Sequence, residues 1–435
     1  MPARRTVLRS TALVAAGLAG CSSTGGTDDR CGTDPPPAET RGVLPADGNL
    51  PAIAADATWP QPGFDPANTR FNPDAVGPTE RPRLYWSLEL DAPPRRGAGP
   101  VVPVVADGVV FVVDGYHRPV AVDARTGEVA WRLDDLPTPN PVAVAGDRLY
   151  LGSAEGLHAV SVADRTVAWT FTPPELEGGD ATTARTRPPP RTAAEDETAS
   201  PPPEPPATAS TPVPAGDAIY VGTGTNVYAV DRASGEERWR VAGDEVAAVT
   251  GDAVFVYDAG TVRAVSPGDG TVRWESPGVT DVPSVAVADG RLYGSPDLGV
   301  VAAFDAATGD ERWRFEGEVE SMATPTVTPD AVYAGSSPLE GRDGGNLYAL
   351  DPATGDPLWC SFLGFASVAA PAATPDTVFV PQSDGLLQAR ERAERGVRWQ
   401  FFERSAWFSA AAAVDGALFV GTEDGRCYAF GDAGE

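Results

Sequence analysis

Residues 303–313 read AFDAATGDERW, and close copies of this stretch recur along the chain. Each clear copy begins with an apolar pair, has a glycine four residues before its end and closes on tryptophan. The other clear copies are AVDARTGEVAW (121–131), AVDRASGEERW (229–239), AVSPGDGTVRW (264–274) and ALDPATGDPLW (349–359). Two degenerate copies are AVSVADRTVAW (159–169) and ARERAERGVRW (389–399). Recurrence of this kind predicts a repeat architecture in which every unit is one supersecondary element.

The spacing of the tryptophans gives the size of the unit. When Trp59 and Trp407 are left out, successive tryptophans lie 35 to 46 residues apart, except for one interval of 70 that contains a proline-rich run. Short alternating stretches such as DAVYAG precede each copy, so one unit reads as four short strands with Gly, Asp and Pro turns. This period is typical of a β-propeller blade. The repeat tryptophans are Trp86, Trp131, Trp169, Trp239, Trp274, Trp313, Trp359 and Trp399.

The repeated stretch predicts a hairpin turn with a fixed chemistry. An aspartate eight residues before the tryptophan can accept backbone N–H bonds at the start of the turn. A glycine four residues before it can adopt the positive φ that a bulged hairpin needs. The tryptophan then lies on the outermost strand, where its ring can cover the seam to the next blade. The glycines are Gly127, Gly235, Gly270, Gly309 and Gly355. Arg165 takes this position in the degenerate copy that ends at Trp169, so we expect replacement of Trp169 to cost less stability than replacement of Trp313.

The two ends of the repeat predict how the ring closes. Residues 84–90, LYWSLEL, supply a tryptophan strand without a unit before it, and the last unit (415–430) ends without such a strand. Pairing them hides two sheet edges. We therefore expect an all-β, monomeric, eight-bladed propeller of four-stranded antiparallel blades. Seven or nine blades are the alternatives.

The N-terminus resembles an export and lipidation signal. Arg4 and Arg5 precede a ten-residue apolar or small stretch, too short to cross a ~30 Å hydrocarbon core, and Leu-Ala-Gly leads into Cys21. The arginine pair is similar to a twin-arginine signal and the sequence at Cys21 to a lipobox. This resemblance implies a signal peptide at residues 1–20, a lipid on Cys21 and a location on the outer face of the cytoplasmic membrane.

Two further segments have low-complexity composition. Residues 21–57 are rich in Gly, Pro, Ser, Thr, Ala and Asp, which predicts a disordered tether before a propeller at 58–435. Residues 173–212 form a proline-rich insertion without aromatic residues, and we expect a disordered loop there. The insertion is a solvated spacer or, alternatively, a polyproline segment for a partner.

The charge of the chain restricts its partners. The 33 basic residues are all arginine, against 61 acidic residues, for a net charge of −28. Such a chain repels phosphate backbones, so nucleic-acid binding is excluded as a default. A strongly acidic chain without lysine resembles the extracytoplasmic proteins of halophilic archaea.

The pattern A-x-D-x-x-[TS]-G-x-x-x-W resembles the repeat of pyrroloquinoline-quinone (PQQ) type propellers. That superfamily includes quinoprotein alcohol dehydrogenases and the BamB lipoproteins, and the resemblance covers residues 58–430. The segment Trp59–Pro73 is similar to the opening of halophile lipoproteins of this group. For the dehydrogenases the resemblance implies adjacent cysteines, a metal held by Glu, Asn and Asp, and an aspartate base. This sequence has no adjacent cysteine pair.

The sequence therefore offers no candidate catalytic, cofactor or metal residues. His117 and His158 are the two histidines, and neither has a second histidine with which to share a metal. For Cys360 and Cys427 we favour buried free thiols, with Cys31 as a potential partner of either.

Two functions follow from this pattern. The first is a non-enzymatic scaffold or binding module, attached to the membrane through Cys21 and carrying a protein partner on one propeller face. The alternative is a PQQ-dependent oxidoreductase.

Overall fold

The computed structural model describes residues 41–46, 48–51, 53–54, 56–79, 82–93, 100–176, 209–280, 284–317, 321–337, 345–363, 368–393, 396–404 and 406–433. Within these ranges the chain forms eight sheets arranged as the blades of a propeller. One 3-10 turn, Pro174–Leu176, interrupts the strands. The predicted all-β, eight-bladed fold is confirmed.

Each of the first four blades is an antiparallel meander that runs from an inner strand to an outer strand. Their strands, in chain order, are Val104–Ala106, Val109–Val113, Pro119–Asp123 and Val129–Arg132; Ala143–Ala145, Arg148–Ser153, Gly156–Ser161 and Val167–Phe171; Val213–Ala215, Ala218–Gly222, Asn226–Asp231 and Glu237–Ala242; Glu245–Val249, Val254–Asp258, Thr261–Val265 and Val272–Pro277.

Blades 5 to 8 repeat the meander, with the inner strand of blade 6 in two short pieces. Their strands are Ala286–Ala288, Arg291–Gly294, Val300–Asp305 and Glu311–Glu316; Ser321–Met322 with Thr326–Val327, Val332–Ser337, Asn346–Leu350 and Pro357–Phe362; Ala372–Ala373, Thr377–Pro381, Leu386–Glu391 and Val397–Phe402; Phe408–Val414, Ala417–Thr422, Arg426–Asp432 and, from the N-terminal side, Pro82–Glu89.

The ring closes as the sequence predicts. Pro82–Glu89 pairs antiparallel with Arg426–Asp432 and forms the outer strand of blade 8. The pairing runs from Pro82 opposite Asp432 to Glu89 opposite Arg426, and Trp86 is buried at 5% exposure. Both sheet edges predicted to be open at the chain ends are therefore covered.

The folded body begins earlier than residue 58. Arg41–Gly42 adds a parallel fifth strand to blade 7, and Leu44–Pro45 adds one to blade 8. Leu50 is 1% exposed and packs into the core of blade 8. The prediction of a free tether up to residue 57 is wrong for these residues, because the outer strands of blades 7 and 8 present backbone groups with which a passing segment can pair.

The ends of the predicted insertion also belong to the body. Ala209 is fully buried and its N–H donates to the carbonyl of Ser153 (2.9 Å). Glu175, in the 3-10 turn, accepts hydrogen bonds from the link between the second and third strands of blade 3. Residues 177–208 lie outside the described residues.

The glycine turns and the tryptophans join neighbouring blades. In the glycine turns φ lies between 70° and 78°, and Asp305 Oδ1, for example, accepts the N–H groups of Ala307 and Thr308. The tryptophan ring of each preceding blade covers the turn. Its Nε1 donates to a carbonyl of the following blade at 2.6 to 3.2 Å at seven of the eight junctions. The acceptor is in the turn for six of them and is Pro78, before the closing strand, for Trp399. The donors are Trp86, Trp169, Trp239, Trp274, Trp313, Trp359 and Trp399.

The junction between blades 1 and 2 is the exception. Arg165 occupies the glycine position of the blade 2 turn and has φ 60°. Among the described residues, Trp131 of blade 1 makes no hydrogen bond through Nε1. The other turn glycines lie so close to the ring that a Cβ would come within 3 Å of it, and an arginine brings such a Cβ. The weakened tryptophan contact is therefore that of Trp131 and not that of Trp169.

Candidate functional site

The chain crosses the central channel before it begins the first blade. Residues 59–72, here called the inner segment, run along the ends of the inner strands. Backbone bonds join Trp59 to Val105 of blade 1 (2.8 Å in each direction) and the carbonyl of Pro66 to the N–H of Val249 of blade 4 (2.7 Å). Its other bonds reach Val144, Val287, Val327, Ala373 and Ala413. The inner segment therefore contacts seven of the eight blades.

The direction of the strands defines two faces. In a four-strand meander the first and third turns lie on one face, and the second turn and the link to the next blade lie on the other. We call the first the turn face, because it carries the glycine turns, and the second the link face. The inner segment bonds to the ends of the inner strands and so lies towards the turn face.

A cavity of about 200 Å³ lies between the inner segment and blades 2 to 5. One wall is formed by the inner segment from Gln61 to Arg70. The other wall comes from the beginnings of inner strands and the links that precede them, including Ser210–Val213, Glu245–Ala248 and Ser284. The cavity is therefore at the link-face end of the channel, where polar side chains from distant parts of the chain meet.

Two polar residues of the inner segment are used to hold it in place. Asp65 accepts the N–H and the hydroxyl of Thr69 at 2.9 and 2.7 Å. Burial raises the pKa of Asp65 despite these bonds. Asn68 donates from Nδ2 to Ser284 Oγ (2.8 Å) and to the carbonyl of Val285 (2.9 Å). Both side chains are therefore structural ties.

Arg70 differs from these ties because its charge has no counter-ion. Its Nη1 donates to the carbonyl of Pro62 at 3.4 Å, a long contact. Its Nε is buried and has no hydrogen-bond partner. In the described part of the chain no carboxylate forms an ion pair with Arg70. Burial lowers the pKa of Arg70 to about 10, so the guanidinium stays charged at neutral pH.

Glu245 and Gln61 face the same cavity. Glu245 opens the inner strand of blade 4, and burial together with the neighbouring charge of Asp244 raises the pKa of its carboxyl group. Gln61 is 6% exposed. Within the described residues neither side chain has a protein hydrogen-bond partner. The cavity is thus lined by the guanidinium of Arg70, the carboxyl group of Glu245 and the carboxamide of Gln61. Each of these groups can form further hydrogen bonds.

The backbone around Arg70 is strained. Phe64, Asn68 and Arg70 have φ of 72°, 59° and 56°, a region that costs non-glycine residues about 1–2 kcal/mol each. Bonds to several blades hold this conformation in place, including the bond from the N–H of Ala373 to the carbonyl of Arg70 (2.9 Å). Strain of this kind concentrates at functional sites.

The cavity does not fit a metal-bound quinone. Among the described residues no three His, Cys, Asp or Glu side chains are grouped so that they could hold a metal ion. Of the two acids in the cavity, Asp65 is already bonded to Thr69. The volume of about 200 Å³ is below the ~300–1,000 Å³ typical of cofactor pockets.

The structure locates the residues predicted from sequence as follows. The repeat tryptophans and glycines lie at the blade junctions, away from the cavity. Arg4, Arg5 and Cys21 lie outside the described residues. No helix in the described part of the chain has the length and apolar character needed to span a membrane.

The cysteines and His158 play structural roles. Cys427 is a buried free thiol as expected, but the same expectation for Cys360 is wrong, because Cys360 is disulfide-bonded. His158 is 2% exposed and lies between Ser153 Oγ (2.8 Å) and Thr170 Oγ1 (3.0 Å) of its own blade.

Sequence reasoning did not identify Arg70, Glu245 or Gln61 as site residues. They belong to no motif and are far apart along the chain. The weak signal was the inner segment itself, a turn-rich, non-repeating stretch between tether and propeller.

Fold and cavity together define a closed eight-bladed propeller with a polar central cavity and a non-repeating segment along its channel. The chain belongs to the family described as outer membrane protein assembly factor BamB, whose model matches residues 80–242, 196–279 and 299–434.

Individual proteins show the same likeness. The serine/threonine-protein kinase AfsK of Streptomyces griseus is 34% identical over 143 residues, 29% of this chain, and the match spans 18% of that kinase. BamB from Moraxella catarrhalis matches with TM-score 0.54 and 18% identity over 80% of this chain and 99% of that one. Quinohemoprotein alcohol dehydrogenase from Comamonas testosteroni matches with TM-score 0.66 and 15% identity over 88% and 82%.

Proposed function

We propose that the chain is a lipid-anchored propeller on the outer face of the cytoplasmic membrane, and that it acts as a non-enzymatic scaffold for a protein partner. The family supports a scaffold, because its described role is the assembly of other proteins. The N-terminal sequence supports the location, through Arg4 and Arg5 for export and Cys21 for the lipid.

The observation that carries the proposal is a set of strongly exposed apolar side chains on the link face. Phe402 and Trp407 are 60% and 61% exposed, and Leu298 is 70% exposed. Phe402 ends the outer strand of blade 7, Trp407 lies in the link to blade 8, and Leu298 lies between the second and third strands of blade 5. All three are on the link face. Exposed aromatic residues on one face are typical of protein–protein interfaces.

The closed ring makes this face a rigid platform. Seven tryptophan bonds join neighbouring blades, and the inner segment ties the inner strands together. A preorganised surface loses little entropy on binding. The alternative, a quinone-dependent oxidoreductase, requires a cofactor that the cavity residues do not fit.

The test captures partners from membranes with the exported protein as bait. We expect Phe402→Ser with Trp407→Ser to lose a partner that wild type retains. The matched control is Val167→Ser with Val272→Ser, because these valines are each 45% exposed and begin outer strands at the turn face. Loss of the partner by the control pair as well, or retention by both pairs, would count against a link-face scaffold.

A second measurement addresses the alternative directly. Purified protein is incubated with PQQ and Ca²⁺ and then desalted. We expect no quinone absorbance to stay with the protein. Retained absorbance that is reduced by alcohols would replace the scaffold proposal with the oxidoreductase.

A further inference from the structure

The central cavity contains unused hydrogen-bonding groups of opposite character on two walls. Arg70 comes from the inner segment and Glu245 from blade 4, and Gln61 lies on the same wall as Arg70. Among the described residues Arg70 and Glu245 form no ion pair, although both line the cavity. A buried charge without a partner costs free energy. A molecule that pairs with both the Arg70 and the Glu245 side chains would therefore be stabilised in the cavity.

We propose that this cavity binds a small zwitterion, with its carboxylate at Arg70 and its ammonium group at Glu245. Gln61 offers a carboxamide to either end of the ligand. This site is independent of the partner surface proposed above, because it lies inside the channel and uses none of the exposed aromatic residues.

The cavity has room for a ligand of a few atoms. A volume of about 200 Å³ equals the share of roughly seven water molecules in liquid water, at about 30 Å³ each. Molecules with five or six non-hydrogen atoms, such as glycine and alanine, are of this size. Such molecules carry both charges on very few atoms.

The charge of the protein favours a zwitterion over a simple anion. The chain carries a net charge of −28, and Glu245 adds a carboxyl group inside the cavity. A free anion is repelled by this field, whereas a zwitterion has no net charge and presents an ammonium group to the acid. Arg70 by itself would suit either an anion or a zwitterion. The carboxyl group of Glu245 is what favours the zwitterion.

The inner segment holds Arg70 before any ligand arrives. The left-handed backbone at Asn68 and Arg70 is fixed by bonds to blades 5 and 7, from Asn68 Nδ2 to Ser284 Oγ and from Ala373 N–H to the carbonyl of Arg70. A guanidinium that is already held in position loses less conformational entropy for each hydrogen bond that it forms.

The test is calorimetric titration of the full chain with glycine, alanine and β-alanine at fixed ionic strength. Acetate and methylamine, each carrying one of the two charges, are the comparison ligands. We expect measurable binding of at least one amino acid, at least tenfold weaker binding of acetate and methylamine, and at least tenfold weaker amino-acid binding to Arg70→Gln and to Glu245→Gln.

Two variants outside the cavity serve as matched controls. Arg398→Gln also removes an arginine whose buried Nε lacks a hydrogen bond, and Glu423→Gln removes a glutamate whose pKa is also raised by burial. Both should bind within twofold of wild type. If Arg70→Gln does not fold, Glu245→Gln carries the test, because Glu245 has no described side-chain hydrogen bond to lose.

Two results would overturn the proposal. Absence of binding of all three amino acids to wild type would remove the site. Acetate binding as tightly as glycine, with no effect of Glu245→Gln, would make the cavity an anion site. Neither result bears on the link-face scaffold, which is measured by partner capture.

Discussion

Trp313 lies on Gly355 of the following blade, so close that a Cβ on that glycine would be 2.5 Å from the ring carbon Cε3. The same indole donates from Nε1 to the carbonyl of Pro352 at 3.0 Å. The tryptophan and the glycine of the repeat are therefore partners in space that belong to neighbouring units. Each repeat contributes its tryptophan to the junction with the following blade and its glycine to the junction with the preceding blade. A substitution of either residue therefore weakens one junction.

Gly355→Ala should destabilise the protein more than a glycine substitution at the same φ elsewhere. Gly355 has φ 76°, so alanine pays about 1–2 kcal/mol for the left-handed conformation and about 1–3 kcal/mol for overpacking against Trp313. Gly416 also has φ 76°, but nothing lies within 4 Å of its added Cβ. Denaturant unfolding of Gly355→Ala and Gly416→Ala separates the two costs. Equal losses of unfolding free energy in the two variants would show that the Trp313 ring moves aside without an energetic cost.

Trp313→Ala should cost about 3–5 kcal/mol, the usual range for a buried large aromatic residue. Trp131→Ala should cost clearly less, because its partner turn carries Arg165 and Trp131 makes no described hydrogen bond through Nε1. The sequence alone suggested Trp169 as the weaker position, since Arg165 belongs to the same repeat. Trp169 instead donates to the carbonyl of Arg232 in blade 3. Comparable losses for Trp131→Ala and Trp313→Ala would contradict the pairing across units.

The blades could be predicted from the sequence because their determinants are local and repeated. Asp305, Gly309 and Trp313 lie within nine residues. The backbone or packing role of each can be predicted from its residue type. Closure could be predicted because one unit lacks an outer strand and another stretch supplies one.

The cavity could not be predicted in this way. Arg70 and Glu245 belong to no repeated pattern, and only the closed ring brings them together. Many bonds of the inner segment use its backbone, and such a bond leaves no residue signature at Pro66 or Val249. The parallel pairing of Arg41–Gly42 also depends on an edge that exists only after blade 7 has formed.

Glu175 should make stability depend on pH. It accepts hydrogen bonds from Thr223 Oγ1 (2.5 Å), Tyr228 Oη (2.6 Å) and Asn226 Nδ2 (3.2 Å), all in blade 3. Burial raises the pKa of Glu175, but these bonds outweigh it and the pKa lies below its ordinary value. The carboxylate of Glu175 therefore stabilises the folded protein fully above the pKa that this residue has in the unfolded chain. This stabilisation is lost as the pH falls through the pKa that it has in the folded protein.

The expected result concerns the difference between wild type and Glu175→Gln. At pH 7 the variant should be less stable by about 1–2 kcal/mol, the value of a few exchanged hydrogen bonds. The difference should shrink below the ordinary pKa of glutamate as the wild-type carboxylate takes up a proton. Thermal unfolding from pH 7 to pH 3 measures it. Glu236→Gln, in an exposed turn of blade 3, should track wild type throughout; a constant gap for Glu175→Gln would rule out the carboxylate as its source.

The proposed lipid on Cys21 limits which cysteine can pair with Cys360. The chain has four cysteines, of which Cys360 is disulfide-bonded and Cys427 is free. If Cys21 carries a lipid, its sulfur is not available for a disulfide, and Cys31 is the partner left for Cys360. Burial raises the pKa of Cys427 to about 12, so its thiol should react only after unfolding.

Thiol titration of the exported protein therefore tests the lipidation of Cys21 together with the pairing. Native protein should give no rapidly reacting thiol, and denatured protein should give one thiol from Cys427. Cys31→Ser should raise the denatured value to two, because Cys360 loses its partner, while the protein stays at the membrane. Cys427→Ser should lower it to none and serves as the control. If denatured wild type gives two thiols, Cys31→Ser gives one and Cys21→Ser gives three, then Cys21 is the disulfide partner, and the membrane attachment has another cause.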